Sequence, residues 1–297
     1  MKVSIIISAY NGGYFLENYS LPSIISQAHS DWEAFIIDDG STDNTEEVAK
    51  RFCAKEKRFK YIKKENNKGL ANSMNLGVKI SNGEIICFLE QDDIWLPSKL
   101  TLQLEQISRG KKIIFCNSFL FTLPKKEIYA LSGGNLSSLM LTKPTANLIF
   151  PLTENNDLLG IEDGEVSGKI ALLLTKKLLS ENEIFNISTP LIIFSQSNNS
   201  LSGKRNPEKL ITRYHAVIEL FKNSKNSPEL KKLLTFWKRH LFFNELAKNL
   251  PHSLRVALFF LTDLLKNSKR KLSCFNFQKK FEPELKMALN LIAKIKS

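Results

Sequence analysis

Apolar and polar residues alternate along the first hundred positions with two periods. Short β-branched or aromatic runs, Val3 to Ser8, Glu33 to Ile37, Phe59 to Lys63 and Glu84 to Leu89, have the length and composition of buried strands. Between them, segments with helical spacing run from Tyr14 to Gln27, Glu46 to Phe52 and Leu70 to Ile80. Pro22 falls inside the first and predicts a bend or restart. A fourth helix is expected from Pro97, with Leu100, Leu102, Leu104 and Ile107 apolar. Strands alternating with helices imply a mostly parallel sheet, hence an α/β fold.

The pattern then loosens. Lys112 to Phe121 and Glu127 to Leu131 read as strands joined by a turn at Pro124, and Asn147 to Phe150 as a further strand. A helical pattern covers Lys169 to Leu179. Phe185 to Phe194 reads as a strand pair interrupted at Pro190, leading into the polar run Ser195 to Ser202. From residue 206 onward four helices are expected, Pro207 to Asn223, Pro228 to Asn249, Pro251 to Asn267 and Pro283 to Lys296, each with proline at its start.

Charge marks a boundary in the same place. Residues 206–297 hold 19 Lys+Arg against 7 Asp+Glu, whereas residues 1–205 are balanced at 23 of each. The chain therefore divides into 1–205 and a basic helical region, 206–297. Its four cysteines form no CxxC pair, which argues against a zinc site or a disulfide framework and fits a reducing compartment. No apolar run approaches the roughly 20 residues of a membrane span. The helix around Leu254 to Leu265, flanked by Arg255, Lys266, Lys269, Arg270 and Lys271, fits either an anionic membrane surface or a bundle packed on residues 1–205. The basic tail also suggests nucleic-acid binding, but it holds no recognisable reader motif.

The chemistry concentrates where strands end. Asp38 and Asp39 follow one strand; Glu90, Asp92 and Asp93 follow another, just before a helix. The carboxyl edge of an α/β sheet is where such sheets bind ligands. Clustered carboxylates repel unless a cation joins them, so they fit either an acidic, solvated turn or a site for Mg²⁺ or Mn²⁺, which hard oxygen ligands suit. Tyr10, an aromatic at the end of the first strand, suits a base-stacking platform or plain packing. Gly69 permits close backbone approach, and Lys68 beside it can reach a phosphate or remain a solvated loop charge.

Four motifs stand in order: Ser4-Ile5-Ile6-Ile7-Ser8-Ala9-Tyr10-Asn11, Ile37-Asp38-Asp39-Gly40-Ser41-Thr42-Asp43, Asn67-Lys68-Gly69 with Asn75-Leu76-Gly77, and Phe88-Leu89-Glu90-Gln91-Asp92-Asp93-Ile94-Trp95-Leu96-Pro97. Together they resemble family 2 glycosyltransferases, closely over residues 1–105 and more weakly to about residue 203. The resemblance implies a GT-A, Rossmann-like mixed sheet flanked by helices, with residues 1–105 binding the nucleotide sugar and 106–205 forming the acceptor side. It implies an inverting transfer from a nucleotide sugar, UDP-linked by expectation, to a glycan or lipid-linked acceptor in surface polysaccharide synthesis. A family member that only binds the nucleotide sugar is the alternative, motivated by Glu90 where the family usually has Asp. The implied nucleotide-binding set is Ala9, Tyr10, Asp38, Lys68, Gly69, Gln91 and Asp92. Asp38 would accept the base N–H, and Asp92 would hold Mn²⁺ or Mg²⁺ on the diphosphate. Asp163, with Glu162 beside it, resembles the family's catalytic base; both would equally favour a helix N-terminus. The expected setting is cytoplasmic, peripheral to the inner face of the plasma membrane, with no nucleic-acid partner.

Overall fold

The computed structural model describes residues 1–122, 127–131, 135–155, 162–196, 207–222, 224, 228–247 and 283. They fall into two compact units. The first comprises Met1–Glu154, Ser180–Gln196 and Glu282–Ser297, the second Asn155–Leu179 and Ser197–Phe281.

The first unit is built on a mixed sheet. Its strands are β1 (Val3–Ala9), β2 (Trp32–Asp38), β3 (Phe59–Lys63), β4 (Ile85–Glu90), β5 (Ile94–Trp95), β6 (Ile113–Thr122), β7 (Glu127–Leu131), β8 (Met140–Thr142) and β9 (Ile184–Gln196). They run in the order β3-β2-β1-β4-β8-β6-β9-β5, with β7 on β6. The first four are parallel, as the alternation of strands and helices requires. β1 and β2 are apolar without alternation because both faces are covered. Helix α4 (Leu70–Ile80) packs on β1 and β2. A Cβ at Gly77 would lie 2.4 Å from Ile6 Cγ2, so the glycine of the Asn-Leu-Gly motif lets the helix press onto the central strand.

Several expectations change. The segment after β1 is not one helix. It is α1 (Gly13–Phe15), a π-turn (Leu16–Ser20) and α2 (Leu21–Ile25). Leu21 N–H bonds back five residues to Leu16 O, and Pro22, which has no N–H, sits in the first turn of α2. Helix α3 runs Thr45–Lys55, and α5 runs Lys99–Ser108, two residues after the expected start at Pro97. Asn147 to Phe150 is not a strand: Asn147 to Ile149 close helix α6 (Lys143–Ile149), which Pro144 starts and which buries Thr145, Ala146 and Ile149. The strand of that region is β8. Residues 184–196 form one strand rather than a pair. Pro190 faces Asn117 across a register shift, and Asn117 fills the gap by donating from Nδ2 to Ser188 O (2.8 Å). The turn at Pro124 lies outside the described residues.

The second unit holds α7 (Glu162–Thr175), α8 (Pro207–Phe221) and α9 (Pro228–Ala247). Helix α7 begins seven residues before Lys169, so the acidic pair lies inside its first turn. Ala171, Val217, Phe221, Leu230, Leu234 and Trp237 form the core between these helices. Gly168 leaves room for the Phe221 ring, whose atoms would lie 2.4 Å from a Cβ there. The helices expected over 251–267 and 283–296 lie outside the described residues, apart from Pro283.

Candidate active site

The parallel register aligns three strand ends. Ala9 pairs with Asp38, and Ser8 with Glu90, so the turns after β1, β2 and β4 open at one edge of the sheet.

The β1 turn is held amide by amide. Tyr10 N–H donates to Gln91 Oε1 (2.9 Å), Asn11 N–H to Ser41 Oγ (2.9 Å), Gly12 N–H to Thr45 Oγ1 (2.9 Å) and Gly13 N–H to Asp43 Oδ2 (3.1 Å). Four consecutive donors are thus satisfied by side chains of the β2 and β4 turns. Asn11 takes a positive φ of 47° and accepts from Thr42 N–H (2.9 Å). Ala9 is buried and acts through its carbonyl, which accepts from Asp39 N–H (2.8 Å). The Tyr10 ring is left 46% exposed. Asp43 also accepts from Thr45 N–H at the start of α3, where Asn44 occupies the cap position.

The two aspartates of the β2 turn face different partners. Asp38 has no exposed surface. Its Oδ1 accepts from Ser41 N–H (2.8 Å) and its Oδ2 from the Tyr61 hydroxyl (2.6 Å). Burial, and then the hydrogen bond to Asp38, raise Tyr61 and keep it protonated as the donor. Asp38 therefore shapes the turn, and it meets a base N–H only if Tyr61 or Ser41 yields. Asp39 accepts from Lys68 N–H and Gly69 N–H, both at 2.8 Å, and pairs with Lys64. Gly69 sits at φ 88°, ψ 167°, a conformation essentially reserved for glycine. Lys68 is exposed.

The β4 turn is closed by Asp93 N–H donating to Glu90 O (3.1 Å). Glu90 N–H donates to Ser137 Oγ (3.0 Å), and Trp95 Nε1 donates to Ser137 O (3.1 Å). Asp93 is buried, whereas Glu90, Gln91 and Asp92 keep partial exposure. Burial raises the Asp92 carboxyl above its ordinary range. Tyr19 of the π-turn lies within its electrostatic reach: burial, then Tyr14, then Asp92 raise its phenol. Among the described residues no group of three or more His, Cys, Asp or Glu side chains is arranged to hold a metal. The β4 turn therefore offers a partly buried carboxylate, Asp92, with Glu90 and the buried Asp93 beside it. That fits Mg²⁺ or Mn²⁺ completed by substrate phosphates rather than an all-protein cage.

A cleft of about 820 Å³ runs beside this edge, lined by Lys64, Lys68, Asn72, Asn75, Phe150 and Glu154 among others. Glu90, Asp92 and Tyr10 do not line it, so it extends the site along α4 and is not its chemical centre.

In the second unit, Glu162 is buried and Asp163 is exposed. Asp163 Oδ1 accepts from Gly164 N–H (2.8 Å). Desolvation by the surrounding protein raises the Asp163 carboxyl above its ordinary range, against the opposing hydrogen bond from Gly164 N–H. Glu165 is buried and pairs with Lys169 (3.0 Å).

Ser137, Tyr61 and Lys64 escape a reading of the sequence. Ser137 precedes no motif, and Tyr61 and Lys64 look like ordinary residues of an edge strand and its exit. Only pairing of β3 with β2 turns the latter two toward Asp38 and Asp39.

Residues 4–178 match the family model described as glycosyl transferase family 2. The Escherichia coli UDP-Glc:alpha-D-GlcNAc-diphosphoundecaprenol beta-1,3-glucosyltransferase WfgD is 33% identical over 137 residues, covering 43% of this chain and 53% of that protein. Among solved structures, Staphylococcus aureus TarS 1–349 in complex with UDP aligns with a TM-score of 0.58 at 19% identity, over 85% of this chain and 76% of that one. The mannosyltransferase PcManGT from Pyrobaculum calidifontis, in complex with GDP-Man and Mn²⁺, aligns with a TM-score of 0.57 at 15% identity, over 98% and 85%. At such identities the structural likeness concerns the fold. The chain spans about a fifth of the length of the first curated relatives it matches.

Proposed function

This chain belongs to glycosyl transferase family 2, and we propose that it transfers a sugar, with inversion, from a UDP-sugar to a glycan or lipid-linked acceptor in surface polysaccharide synthesis. The observation that carries this reading is the joining of three strand-end turns into one edge, with the Tyr10 ring exposed and Asp92 half-buried there. WfgD, whose name gives a UDP-Glc donor and a diphosphoundecaprenol acceptor, supports the donor and acceptor classes.

In this reading the Tyr10 ring stacks on the base. Ala9 and Gln91 fix its backbone, and Asp38 forms the floor of the turn. Lys68 faces the phosphates, and Gly69 lets the backbone come close to them. Asp92 holds Mn²⁺ or Mg²⁺, which when bound neutralises charge on the departing diphosphate. Asp163 takes the proton of the acceptor hydroxyl as that oxygen attacks the anomeric carbon and the bond to the diphosphate breaks. Its exposure suits that task, and buried Glu162 orients the first turn of α7.

Residues 1–205 form the catalytic part in this proposal and 206–297 a basic appendage. No helix among the described residues is long and apolar enough to cross a membrane. The cationic excess of the last third supports peripheral attachment to an anionic cytoplasmic leaflet.

Thermal denaturation with a panel of UDP-, GDP- and dTDP-sugars, with and without Mn²⁺, tests the donor reading. A ligand that binds only the folded state raises its stability. UDP-sugars with Mn²⁺ are expected to give the largest shift; no shift with any nucleotide sugar overturns the reading.

A further inference from the structure

We propose that Lys64 is a positioning residue that sets the Lys68 and Gly69 amides through Asp39. The inference rests on the reading above, in which the loop carrying those amides faces the donor.

Lys64 follows β3 directly. Its N–H donates to Asp38 O (2.9 Å), which continues the pairing with β2 past the end of the strand. The side chain then folds inward and is only 9% exposed. Its ammonium pairs with Asp39 Oδ1 and donates to Asn72 Oδ1 (2.8 Å). Asn72 in turn donates from Nδ2 to Glu154 Oε2 (2.8 Å), and Asn75 donates to Glu154 Oε1 (3.0 Å). An unbroken polar chain therefore runs from the loop amides through Asp39, Lys64 and Asn72 to Glu154.

Asp39 is the part that reaches the donor loop. Its side chain is 7% exposed and takes both loop amides at 2.8 Å. The two amides share the stabilisation of this nearly buried carboxylate with one full positive charge. Lys64 supplies it, and its ammonium donors reach both Asp39 and Asn72. Residues 65–68 are exposed, so this loop has little packing of its own to hold it. Besides Asp39, the Gly69 amide has only Asn67 Oδ1 (3.1 Å), a member of the same loop. Gly69 holds an otherwise costly backbone conformation, so the loop geometry depends on Asp39 keeping its charge and its place.

An ion pair that merely adds stability would change the melting temperature and nothing local. The test uses the full chain with Lys64→Met and Lys64→Gln. Hydrogen exchange is followed in the ligand-free protein, and UDP is titrated with Mn²⁺ by calorimetry at a temperature where each variant is folded. The expected result for Lys64→Met is exchange about tenfold faster in residues 65–69, unchanged exchange in β1 and β4, and UDP affinity lower by about tenfold. Lys64→Gln should fall between it and the parent. A folded Lys64→Met with loop exchange and UDP affinity both within about twofold of the parent overturns the proposal. If Lys64→Met does not fold, Lys64→Gln is judged by the same criterion. If the parent itself binds no nucleoside diphosphate, the donor reading fails, while the exchange measurement still decides the role of Lys64.

Discussion

Tyr10 and Gln91 clasp each other across the sheet edge: Gln91 Oε1 accepts Tyr10 N–H at 2.9 Å, and Gln91 Nε2 donates to Tyr10 O at 3.3 Å. Eighty-one positions separate them in sequence, yet one amide side chain fixes the backbone beneath the exposed ring. The room for it comes from Gly12, where a Cβ would lie 2.1 Å from Gln91 Oε1.

Gly12→Ala should therefore act by displacing Gln91. Gly12 has an ordinary negative φ, so no backbone strain is added. UDP affinity should drop by about tenfold with little change in melting temperature, and Gln91→Ala should do the same. The double variant should be no weaker than either single one, because both break one clasp. Additive losses in the titration would show that the two residues act separately.

Asp92→Ala should abolish the Mn²⁺ dependence of UDP-sugar binding and leave the fold intact, since the side chain is half-exposed at a turn. Equal affinity for UDP-sugar with Mn²⁺ in mutant and parent removes Asp92 as the metal ligand. Glu90→Asp should retain or raise activity; a loss beyond about tenfold, roughly 1.4 kcal/mol, means the site is built around the longer side chain.

Asp163→Asn should keep donor affinity and lower the single-turnover transfer rate by a factor on the order of 10²–10⁴, the contribution of a general base. Glu162→Gln should cost the rate less, because Glu162 is buried in the first turn of α7. The reverse order of rates would move the base to Glu162.

Glu33, near the start of β2 and at the opposite end of that strand from the Asp38 turn, contributes to acid stability. It accepts from Ser4 Oγ (2.8 Å), Asn82 N–H (2.9 Å) and Lys60 Nζ (2.9 Å). Burial pushes its carboxyl up, but Lys60, Asn82 and Ser4 outweigh that and hold it down to about 2. In the unfolded chain its pKa is near the ordinary 4.5, so between these limits the unfolded state binds the extra proton. The stabilisation is complete above about pH 4.5 and is lost as pH falls through about 2. Glu33→Gln should flatten that limb of a pH-dependent denaturation series and cost at most about 3 kcal/mol at neutral pH. An unchanged slope in that window would assign the acid limb to other carboxylates.

The sequence by itself determined the parallel half of the sheet. β1 to β4 and α4 fall within a residue or so of where their patterns end, because a strand buried on both faces needs an unbroken apolar run and a helix needs its 3.6-residue stripe. The strand-end motifs were likewise readable, since turns draw on a small set of residues that stand out from their surroundings. The second half was harder to read. Asn147 to Phe150 has strand composition, but Pro144 starts a helix there. Ile94 and Trp95 form a strand only because β9 offers Ile193 and Ile192 to pair with. Period and composition record how a segment is buried; they do not record its partner. Only the tertiary structure decided that Asp38 turns inward to Tyr61 while Asp39 takes the loop amides and Lys64. Adjacent strand residues point to opposite faces, and which face meets which neighbour is fixed by the packing of distant segments.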